Sequence, residues 1–294
     1  MSSEQIGLVG LGLMGSAIAR RLLAAGFHVL GYDVDGSKRA ALIELGGAAA
    51  ASLSDIGTSC RTAVLAVFNT DQVEEVLAGE RGIAGTASRI AIVTSTCDPE
   101  RIAALAASLA PRGLALIEFP VSGTSAQVAR GEALGLAAGD ATTIEEADAV
   151  LTAICPRRQF MGAAGNGGRA KLAINLMLGL NRAAIAEGLA LGEKLGLARG
   201  DLLAVARQSA AYSQVMDVKG SLWAEDRFEP PLSRVDQSLK DFTLMLQLGR
   251  RAGLALPFAR CYQALLADCI AHGEGRMDNA IIINAIRRRT VARE

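Results

Sequence analysis

The sequence predicts an α/β protein: an N-terminal Rossmann domain, that is, a doubly wound parallel sheet, followed by an all-helical C-terminal domain. Two patterns support this prediction. Over the first half, short apolar runs alternate with helical stretches of about ten residues, the pattern of parallel βαβ units. After Gly168 the strand-like runs disappear and only helical patterns follow. We therefore expect two domains, residues 1–163 and 164–294.

The first predicted strand and helix are joined by a glycine-rich turn. A short apolar run from Ile6 enters a Gly-x-Gly-x-x-Gly sequence and leaves as a helical pattern. In a dinucleotide-binding unit the first glycine permits the tight turn, the second lets backbone approach a pyrophosphate, and the third lets the helix lie close to the strand. The N–H groups of the helix N-terminus then face the phosphates. The predicted cofactor-binding residues here are Gly10, Leu11, Gly12, Leu13, Met14 and Gly15.

Asp33 follows the second predicted strand, residues 27–32. A carboxylate at this position accepts hydrogen bonds from the adenosine ribose hydroxyls and repels the 2′-phosphate of NADP. The next residue is Val34, so no arginine directly follows the carboxylate. The sequence therefore predicts NAD as cofactor, in preference to NADP. The alternative is that Asp33 only begins a turn.

The remaining N-terminal elements alternate in the same way. Asp98 followed by Pro99 is typical of an N-cap and a first helical residue. Two overlapping Thr-x-x-Glu capping boxes, at Thr142 and Thr143, predict the start of a later helix. Strands are predicted at 62–67, 90–93, 114–117, 134–138 and 159–161, and helices at 37–45, from 52, at 98–110 and at 142–154.

Five helices are predicted in the C-terminal domain, at 169–195, 201–210, 233–252, 257–271 and 279–288. The first is apolar nearly all round but is interrupted by charged and amide residues, which favours a buried central helix over a membrane span. Gly188, Gly192 and Gly196 recur at intervals of four and predict a flat seam that another helix can approach. We expect a homodimer or homotetramer; the alternative is that the seam is buried within one subunit.

The first of these helices also carries polar residues on one face. Gly167, Lys171, Asn175 and Gly179 are spaced by four residues and share that face. Beside small residues a lysine can be partly buried, where desolvation favours its neutral form. Such an amine can exchange a proton with an alcohol or carbonyl oxygen while hydride moves to or from nicotinamide. The alternative is an ordinary lysine whose ammonium group reaches solvent.

Composition excludes several classes of partner. Lys plus Arg and Asp plus Glu both number 30, so no net charge favours nucleic acid or an anionic membrane. We find no apolar run long enough to span a membrane and no leader pattern, and we expect a cytoplasmic protein. Five cysteines without a CxxC pair predict mostly buried, reduced thiols, and two histidines predict no metal site. Residues 287–289, all arginine, are expected to form a solvated helix end.

Four blocks, in order along nearly the whole chain, resemble the β-hydroxyacid dehydrogenases related to 3-hydroxyisobutyrate dehydrogenase. The resemblance implies hydride transfer between a nicotinamide cofactor and a small β-hydroxy acid or aldehyde acid, a small-molecule carboxylate. The blocks are Gly10-Leu-Gly12-Leu-Met-Gly15, Pro120-Val-Ser122-Gly123 with Gly131 after it, Gly162-x-x-Gly165-x-Gly167-x-x-x-Lys171-x-x-x-Asn175, and Lys240-Asp241.

The resemblance also implies roles for single residues. Lys171 is the expected catalytic acid/base, with Asn175 as its catalytic neighbour. Thr96 is expected near the nicotinamide side of the cofactor, and Lys240 is expected to reach the cofactor from the helical domain. The residues expected to hold the substrate carboxylate are Ser122 and Gly123, followed by Thr124.

Thr124 and Gln127 stand where the family usually has glycine. Their polar groups predict a substrate with an extra polar group, such as a hydroxylated aldehyde acid or a sugar acid. The alternative is that both side chains point away from the substrate and only pack. 3-Hydroxyisobutyrate, tartronate semialdehyde, glyoxylate, succinic semialdehyde and sugar acids all stay open as substrates.

Competing dehydrogenase classes lack their required residues. The short-chain class needs Tyr-x-x-x-Lys, and none of the three tyrosines has a lysine four residues later. Lactate-type chemistry needs a histidine acid/base, and only His272 follows the cofactor domain. Phosphogluconate dehydrogenases look similar over the first half but are much longer. An imine reductase-like enzyme and a non-catalytic NAD-binding scaffold or sensor are the alternatives that stay open.

Overall fold

The computed structural model describes residues 4–289 and divides the chain into two units, Met1–Lys171 and Leu172–Glu294. All strands of the described residues lie in the first unit, and the second is helical. The predicted fold class, a Rossmann domain followed by a helical domain, is thereby confirmed. The division falls inside one long helix, Asn166–Lys194. The predicted domain boundary after residue 163 stays a prediction.

A six-stranded parallel sheet forms the centre of the first unit. Its strand order is β3-β2-β1-β4-β5-β6, and this order reverses between β1 and β4, as in dinucleotide-binding folds. Val9 is in register with both Tyr32 and Leu65, so three strands end together at the edge where the glycine turn begins. The strands are β1 (Gln5–Val9), β2 (His28–Tyr32), β3 (Ala48–Ala49), β4 (Thr62–Leu65), β5 (Ile90–Val93) and β6 (Ala115–Glu118).

Both faces of this sheet are buried, as expected for parallel strands covered by helices. Ile6 and Leu8 belong to one apolar cluster, whereas Val9 of the same strand belongs to another. The alternation shows that the clusters lie on opposite faces of the sheet. The sequence analysis missed β3, which has only two exposed residues, and the helix after β4. The helices are α1 (Leu13–Ala24), α2 (Gly36–Glu44), α3 (Leu53–Ser59), α4 (Thr70–Ala78) and α5 (Pro99–Leu109).

A second, three-stranded sheet completes the first unit. It contains the predicted strands near residues 134–138 and 159–161, together with a short strand that we had not predicted. The first two strands are antiparallel and the last two are parallel. A backbone bridge between Glu118 and Ala138 connects the two sheets. The strands are β7 (Val121–Ser122), β8 (Leu134–Ala137) and β9 (Arg157–Phe160).

The prediction of one helix at 142–154 was wrong, because the structure has two. Asp140 is the N-cap of the first, and its side chain accepts a hydrogen bond from the Thr143 N–H at 2.8 Å. Neither predicted capping box is used, because the helix already begins at Ala141 with Asp140 as its N-cap, so that Thr142 and Thr143 lie inside its first turn. The helices of this region are α6 (Ser125–Ala129), α7 (Ala141–Glu146) and α8 (Asp148–Ile154).

The second unit packs its helices around one apolar core that includes the fully buried Trp223 and Tyr262. One helix, residues 214–225, was not predicted, and the predicted helix at 279–288 begins with a 3-10 turn, Asn279–Ile281. The long helix α9 (Asn166–Lys194) runs from the first unit into the second. The others are α10 (Arg199–Ala206), α11 (Gln214–Glu225), α12 (Val235–Arg251), α13 (Pro257–Ala271) and α14 (Ile282–Arg287).

The three glycines of the predicted seam have different roles. A Cβ on Gly192 would lie 2.3 Å from Cδ2 of Leu202, so this glycine permits packing within the chain. Gly196 has φ +87° and lies just beyond the end of α9, where Leu197 N–H donates to the Gly192 carbonyl at 2.9 Å. This is a Schellman C-terminus. A Cβ on Gly188 or on Gly196 would meet nothing within 4 Å, but Gly196 lies beyond the end of α9 and Gly192 is covered by Leu202, so the prediction of one continuous seam was wrong.

The arginines near the C-terminus are fixed by ion pairs. Nη2 of Arg287 lies 2.8 Å from a Glu193 oxygen, and the same guanidinium contacts Asp226 at 3.0 Å. Arg288 pairs with Asp268 and Glu274. Arg288 and Arg289 are exposed, as predicted for a solvated helix end, whereas Arg287 is half-buried among the carboxylates that face it.

The cysteines are reduced, and four of the five are buried; Cys261 is exposed. Burial raises the pKa of Cys155 to about 11, so that thiol is inert at neutral pH. Within residues 4–289 no group of three or more metal-ligating side chains occurs. In the same part of the chain, no helix is sufficiently long and apolar to cross a membrane.

Candidate active site

The glycine turn between β1 and α1 has the geometry that a dinucleotide requires. Gly10 has φ +90°, and a Cβ there would lie 2.6 Å from the Ala66 carbonyl oxygen. A Cβ on Gly15 would lie 1.9 Å from the Gly10 oxygen, so the close packing of α1 on the turn excludes any side chain. A Cβ on Gly12 would meet nothing within 4 Å, which leaves open space for a phosphate to approach the backbone.

The N-terminus of α1 differs from those of the next four helices. The side chains of Asp35, Ser52, Asn69 and Asp98 cap α2, α3, α4 and α5. No side chain caps α1, whose N-cap is Gly12. Its first N–H groups and its partial positive charge are therefore suited to an anion. Leu13 and Met14, which we predicted to bind the cofactor, occupy this first turn.

Asp33 links β2 to the glycine turn. Its Oδ2 accepts a hydrogen bond from the Leu11 N–H at 2.8 Å, and its Oδ1 accepts one from the Asp35 N–H at 2.9 Å. The side chain is 8% exposed. Each carboxylate oxygen has a second lone pair, which suits the ribose hydroxyls. Asp33 therefore begins a turn, which was the alternative interpretation. Its hydrogen bond from the Leu11 N–H also connects that turn to the predicted cofactor-binding loop.

Two cations near Asp33 were missed by the sequence analysis. Nζ of Lys38 lies 3.6 Å from Oδ1 of Asp33, and the Arg39 guanidinium donates to the Asp33 carbonyl. Arg39 also lies over the Tyr32 ring, 6.0 Å from its centroid. The prediction rested on Val34, the residue next to Asp33, whereas the first turn of α2 brings residues 38 and 39 back to the aspartate. Positive charge here weakens the repulsion of a 2′-phosphate.

Thr96 lies half-buried in the loop after β5, at the carboxyl edge of the main sheet. Its neighbours connect this loop to β4 and to the loop that follows β4. Oγ1 of Thr94 donates to the Leu65 carbonyl at 2.8 Å, and Oγ of Ser95 donates to the Val67 carbonyl at 2.7 Å. Ligands of open parallel sheets bind beyond this edge. The location of Thr96 is thus compatible with its predicted role near the cofactor.

The predicted carboxylate-binding loop follows β7. Gly123 has φ +152°, and a Cβ there would lie 2.9 Å from the Cβ of Ala133. Thr124 has an ordinary φ of −79° and is the N-cap of α6. Its N–H donates to Oε1 of Gln127 at 2.8 Å, and its hydroxyl accepts from the Gln127 N–H at 3.2 Å. The two residues that replace family glycines therefore cap each other, and this favours the alternative that they only pack.

Lys171 lies in the second turn of α9 and is 6% exposed. One turn further, Nδ2 of Asn175 donates to Oδ2 of Asp241 at 2.9 Å. A carboxylate only accepts, so the Asn175 amide nitrogen must face Asp241 and its oxygen must face away. Gly179 has a packing role, since a Cβ there would lie 2.4 Å from the Phe242 ring.

Asp241 also contacts its neighbour in sequence. Nζ of Lys240 lies 3.1 Å from Oδ1 of Asp241. One carboxylate thus holds Asn175 through one oxygen and Lys240 through the other. Asp241 belongs to one of the blocks that match the family, but the spacing alone does not show that it faces Asn175.

The sheet order, the uncapped glycine turn and the Asp33 carboxylate beside that turn are typical of nicotinamide-dependent oxidoreductases. Residues 5–162 match the NAD binding domain of 6-phosphogluconate dehydrogenase, and residues 165–286 match the NAD-binding region of NADP-dependent 3-hydroxyisobutyrate dehydrogenase. The chain belongs to the β-hydroxyacid dehydrogenase family. It is an NAD(P)-dependent enzyme that transfers hydride at the CH–OH group of small hydroxy acids.

Several characterised proteins resemble it over nearly their whole length. An L-threonate dehydrogenase of Cupriavidus necator is 34% identical over 95% of both chains. The glyoxylate/succinic semialdehyde reductase 1 of Arabidopsis thaliana is 28% identical over 96% of this chain and 98% of its own. The crystal structure of a 3-hydroxyisobutyrate dehydrogenase from Salmonella typhimurium is 27% identical and superposes with a TM-score of 0.87 over 96% of this chain and 99% of its own.

Proposed function

We propose that this enzyme interconverts a hydroxylated sugar acid of the L-threonate type and its carbonyl acid, with Lys171 as acid/base. The buried position of Lys171 on α9 carries this proposal, since a buried amine can become neutral and exchange protons. The relative named L-threonate dehydrogenase supports the substrate class. Because the three relatives described above are named for activity on hydroxy acids or aldehyde acids, we do not adopt the imine reductase and scaffold alternatives.

Residues of this chain would transfer the substrate proton and hold the substrate in both directions of the reaction. When bound, the nicotinamide accepts or donates the hydride. In oxidation, the neutral Lys171 amine takes the hydroxyl proton as the C–O bond becomes a double bond; in reduction, its ammonium form returns a proton to the carbonyl oxygen. The Asn175 oxygen, turned away from Asp241, can accept from a substrate hydroxyl. We assign the substrate carboxylate to Ser122 and Gly123, and further cofactor contacts to Thr96 and Lys240, on the family resemblance alone.

The substrate class is tested by comparing kcat/KM for L-threonate, 3-hydroxyisobutyrate, glyoxylate and succinic semialdehyde from the nicotinamide absorbance, with both cofactors. The proposal expects the highest kcat/KM for L-threonate. A higher value for glyoxylate or succinic semialdehyde would instead favour the activity named for the Arabidopsis relative.

Replacing Thr124 with alanine is expected to lower kcat/KM by the same factor for L-threonate and 3-hydroxyisobutyrate. The Thr124 hydroxyl is occupied by Gln127, so its loss removes a helix cap, worth about 1 kcal/mol, and no substrate contact. Thr124→Ser, which keeps the cap, is the matched control and is expected to behave as wild type. A loss confined to L-threonate would show that the hydroxyl binds substrate.

We propose that the cofactor is NAD in preference to NADP, as Asp33 suggests. Replacing Asp33 with asparagine is expected to lower the ratio of kcat/KM with NAD to kcat/KM with NADP, because it removes a negative charge beside the 2′ position. Asp35→Asn is the control, since that aspartate is an exposed cap of α2 that accepts from the Ser37 N–H. If wild type prefers NADP, then Lys38 and Arg39 outweigh the carboxylate and the proposal is wrong.

Two further predictions stay as proposals. A homodimer or homotetramer is supported by the exposed apolar side chains of the helical unit, among them Met177 and Phe258. Light scattering at micromolar concentration tests this assembly. The cytoplasmic location rests on the sequence pattern alone.

A further inference from the structure

Glu118, the last residue of β6, is a buried carboxylate with no role in the function proposed above. It is 1% exposed. Its Oε2 accepts the Gly165 N–H at 2.8 Å, its Oε1 accepts the Gly168 N–H at 2.9 Å, and the Gly167 N–H is a third donor. Burial raises the pKa of Glu118, and these three donors oppose that rise. Burying a carboxylate is costly unless it has such partners, so this arrangement requires an explanation.

The three donors are the first N–H groups of α9. An α-helix begins with four N–H groups that have no partner inside the helix. Here the Asn166 N–H donates to the Ala163 carbonyl at 3.1 Å, and the first bond within the helix runs from the Arg169 N–H to the Gly165 carbonyl at 3.0 Å. Glu118 accepts the other three. The cap of α9 therefore comes from a strand 47 residues earlier in the chain.

The glycines at the start of α9 provide the space for this carboxylate. A Cβ on Gly168 would lie 2.7 Å from Oε1 of Glu118, and a Cβ on Gly167 would lie 3.1 Å from Oε2. Gly167 was placed on the same helix face as Lys171 by the sequence analysis. The group next to Gly167 is the Glu118 carboxylate. Its presence explains why residues 167 and 168 are glycines, and no ligand beside them is needed for that explanation.

Lys171 is three residues after Gly168 and four residues after Gly167, one helical turn further along α9. A long helical side chain extends over the turn that precedes its own Cα. The position of the Lys171 amine therefore depends on the position of residues 167 and 168. We infer that Glu118 is a positioning residue, whose carboxylate fixes the first turn of α9 and thereby places Lys171 for proton transfer. This inference rests on the proposed role of Lys171.

The first test is Glu118→Gln. A glutamine keeps the size but offers only one acceptor oxygen, so its NH2 group must face one of the N–H donors. We expect kcat to fall about tenfold or more, the scale of misplacing a catalytic group, while KM and the Kd of NADH change by less than about twofold. Amide hydrogen exchange of Gly165, Gly167 and Gly168 should become faster than in wild type.

Ser88→Ala is the matched control. Ser88 is also fully buried in the first unit, and its hydroxyl donates to the Cys60 carbonyl at 2.8 Å, near the start of β5. Losing this bond should lower Tm without changing kcat or exchange at the start of α9. If Glu118→Gln leaves kcat unchanged, or lowers it no more than Ser88→Ala does for the same loss of Tm, the inference is wrong.

Gly168→Ala tests the same idea without removing the charge. Alanine is a better helix former than glycine, so the substitution favours the helix itself, but its Cβ must displace the Glu118 carboxylate. We expect kcat to fall although α9 gains helix propensity. A wild-type kcat would overturn the inference, and this variant decides the question if Glu118→Gln does not fold.

The inference and the proposed function fail in different ways. If Lys171→Ala keeps its activity, the proposed function is wrong whatever Glu118 does. If Lys171→Ala is inactive while Glu118→Gln and Gly168→Ala both have wild-type kcat, only the positioning role is wrong. Hydrogen exchange at the start of α9 reports on the cap independently of activity.

Discussion

Replacing Lys171 with alanine is expected to lower kcat by about 100-fold or more, the usual scale for loss of a general acid/base. The amine is the group that we propose to exchange the substrate proton, and it is buried on α9. Because Lys171 does not belong to the glycine turn or to β2, the Kd of NADH should stay near the wild-type value. Steady-state kinetics and cofactor fluorescence titration measure the two quantities.

Two variants control for charge and for the helix. Lys171→Arg keeps the positive charge, but a guanidinium does not release its proton at neutral pH, so we expect the same loss of kcat. Lys194→Ala removes an exposed lysine from the last turn of α9 and should be neutral. An active Lys171→Ala or Lys171→Arg enzyme would mean that another group carries the proton.

Replacing Lys219 with methionine is expected to destabilise the helical unit by about 3–5 kcal/mol, the cost of leaving one partner of a buried ion pair alone. Lys219 and Asp278 are 3% and 0% exposed, and Nζ lies 2.8 and 2.6 Å from the two carboxylate oxygens. Asp278 also accepts N–H groups of Leu232 and Ala280. Burial lowers the pKa of Lys219 to about 8, although Asp278 opposes this shift.

Urea unfolding measures this cost, with Arg130→Met as the control. Arg130 forms an exposed ion pair with Glu132, and solvent screening leaves such a pair with little effect on stability. The double variant Lys219→Met with Asp278→Asn should recover part of the lost stability, because it no longer buries an unpaired charge. If Lys219→Met lowers the free energy of unfolding by no more than Arg130→Met does, the buried ion pair does not contribute strongly to the stability of the helical unit.

The sequence was sufficient to predict the features that depend on residues close to one another in the chain. Gly10 and Gly15 of the β1–α1 turn are required by close contacts with Ala66 and within the turn itself, and alternating apolar runs are visible without knowledge of the fold. The capping box formed by Thr124 and Gln127 is also a local signal, Thr-x-x-Gln, and it agrees with the alternative prediction that both residues only pack, not with substrate contacts.

By itself, the sequence determined the α/β class, the glycine turn, the position of Asp33 and the helix that carries Lys171. Only the tertiary structure decided which distant groups surround them: Asp241 beside Asn175, and Glu118 at the start of α9. Periodicity and turn chemistry act between residues that are close in the chain. The partners of Asn175 and Gly165 are 66 and 47 residues away, and only packing of the folded chain brings them into hydrogen-bond distance.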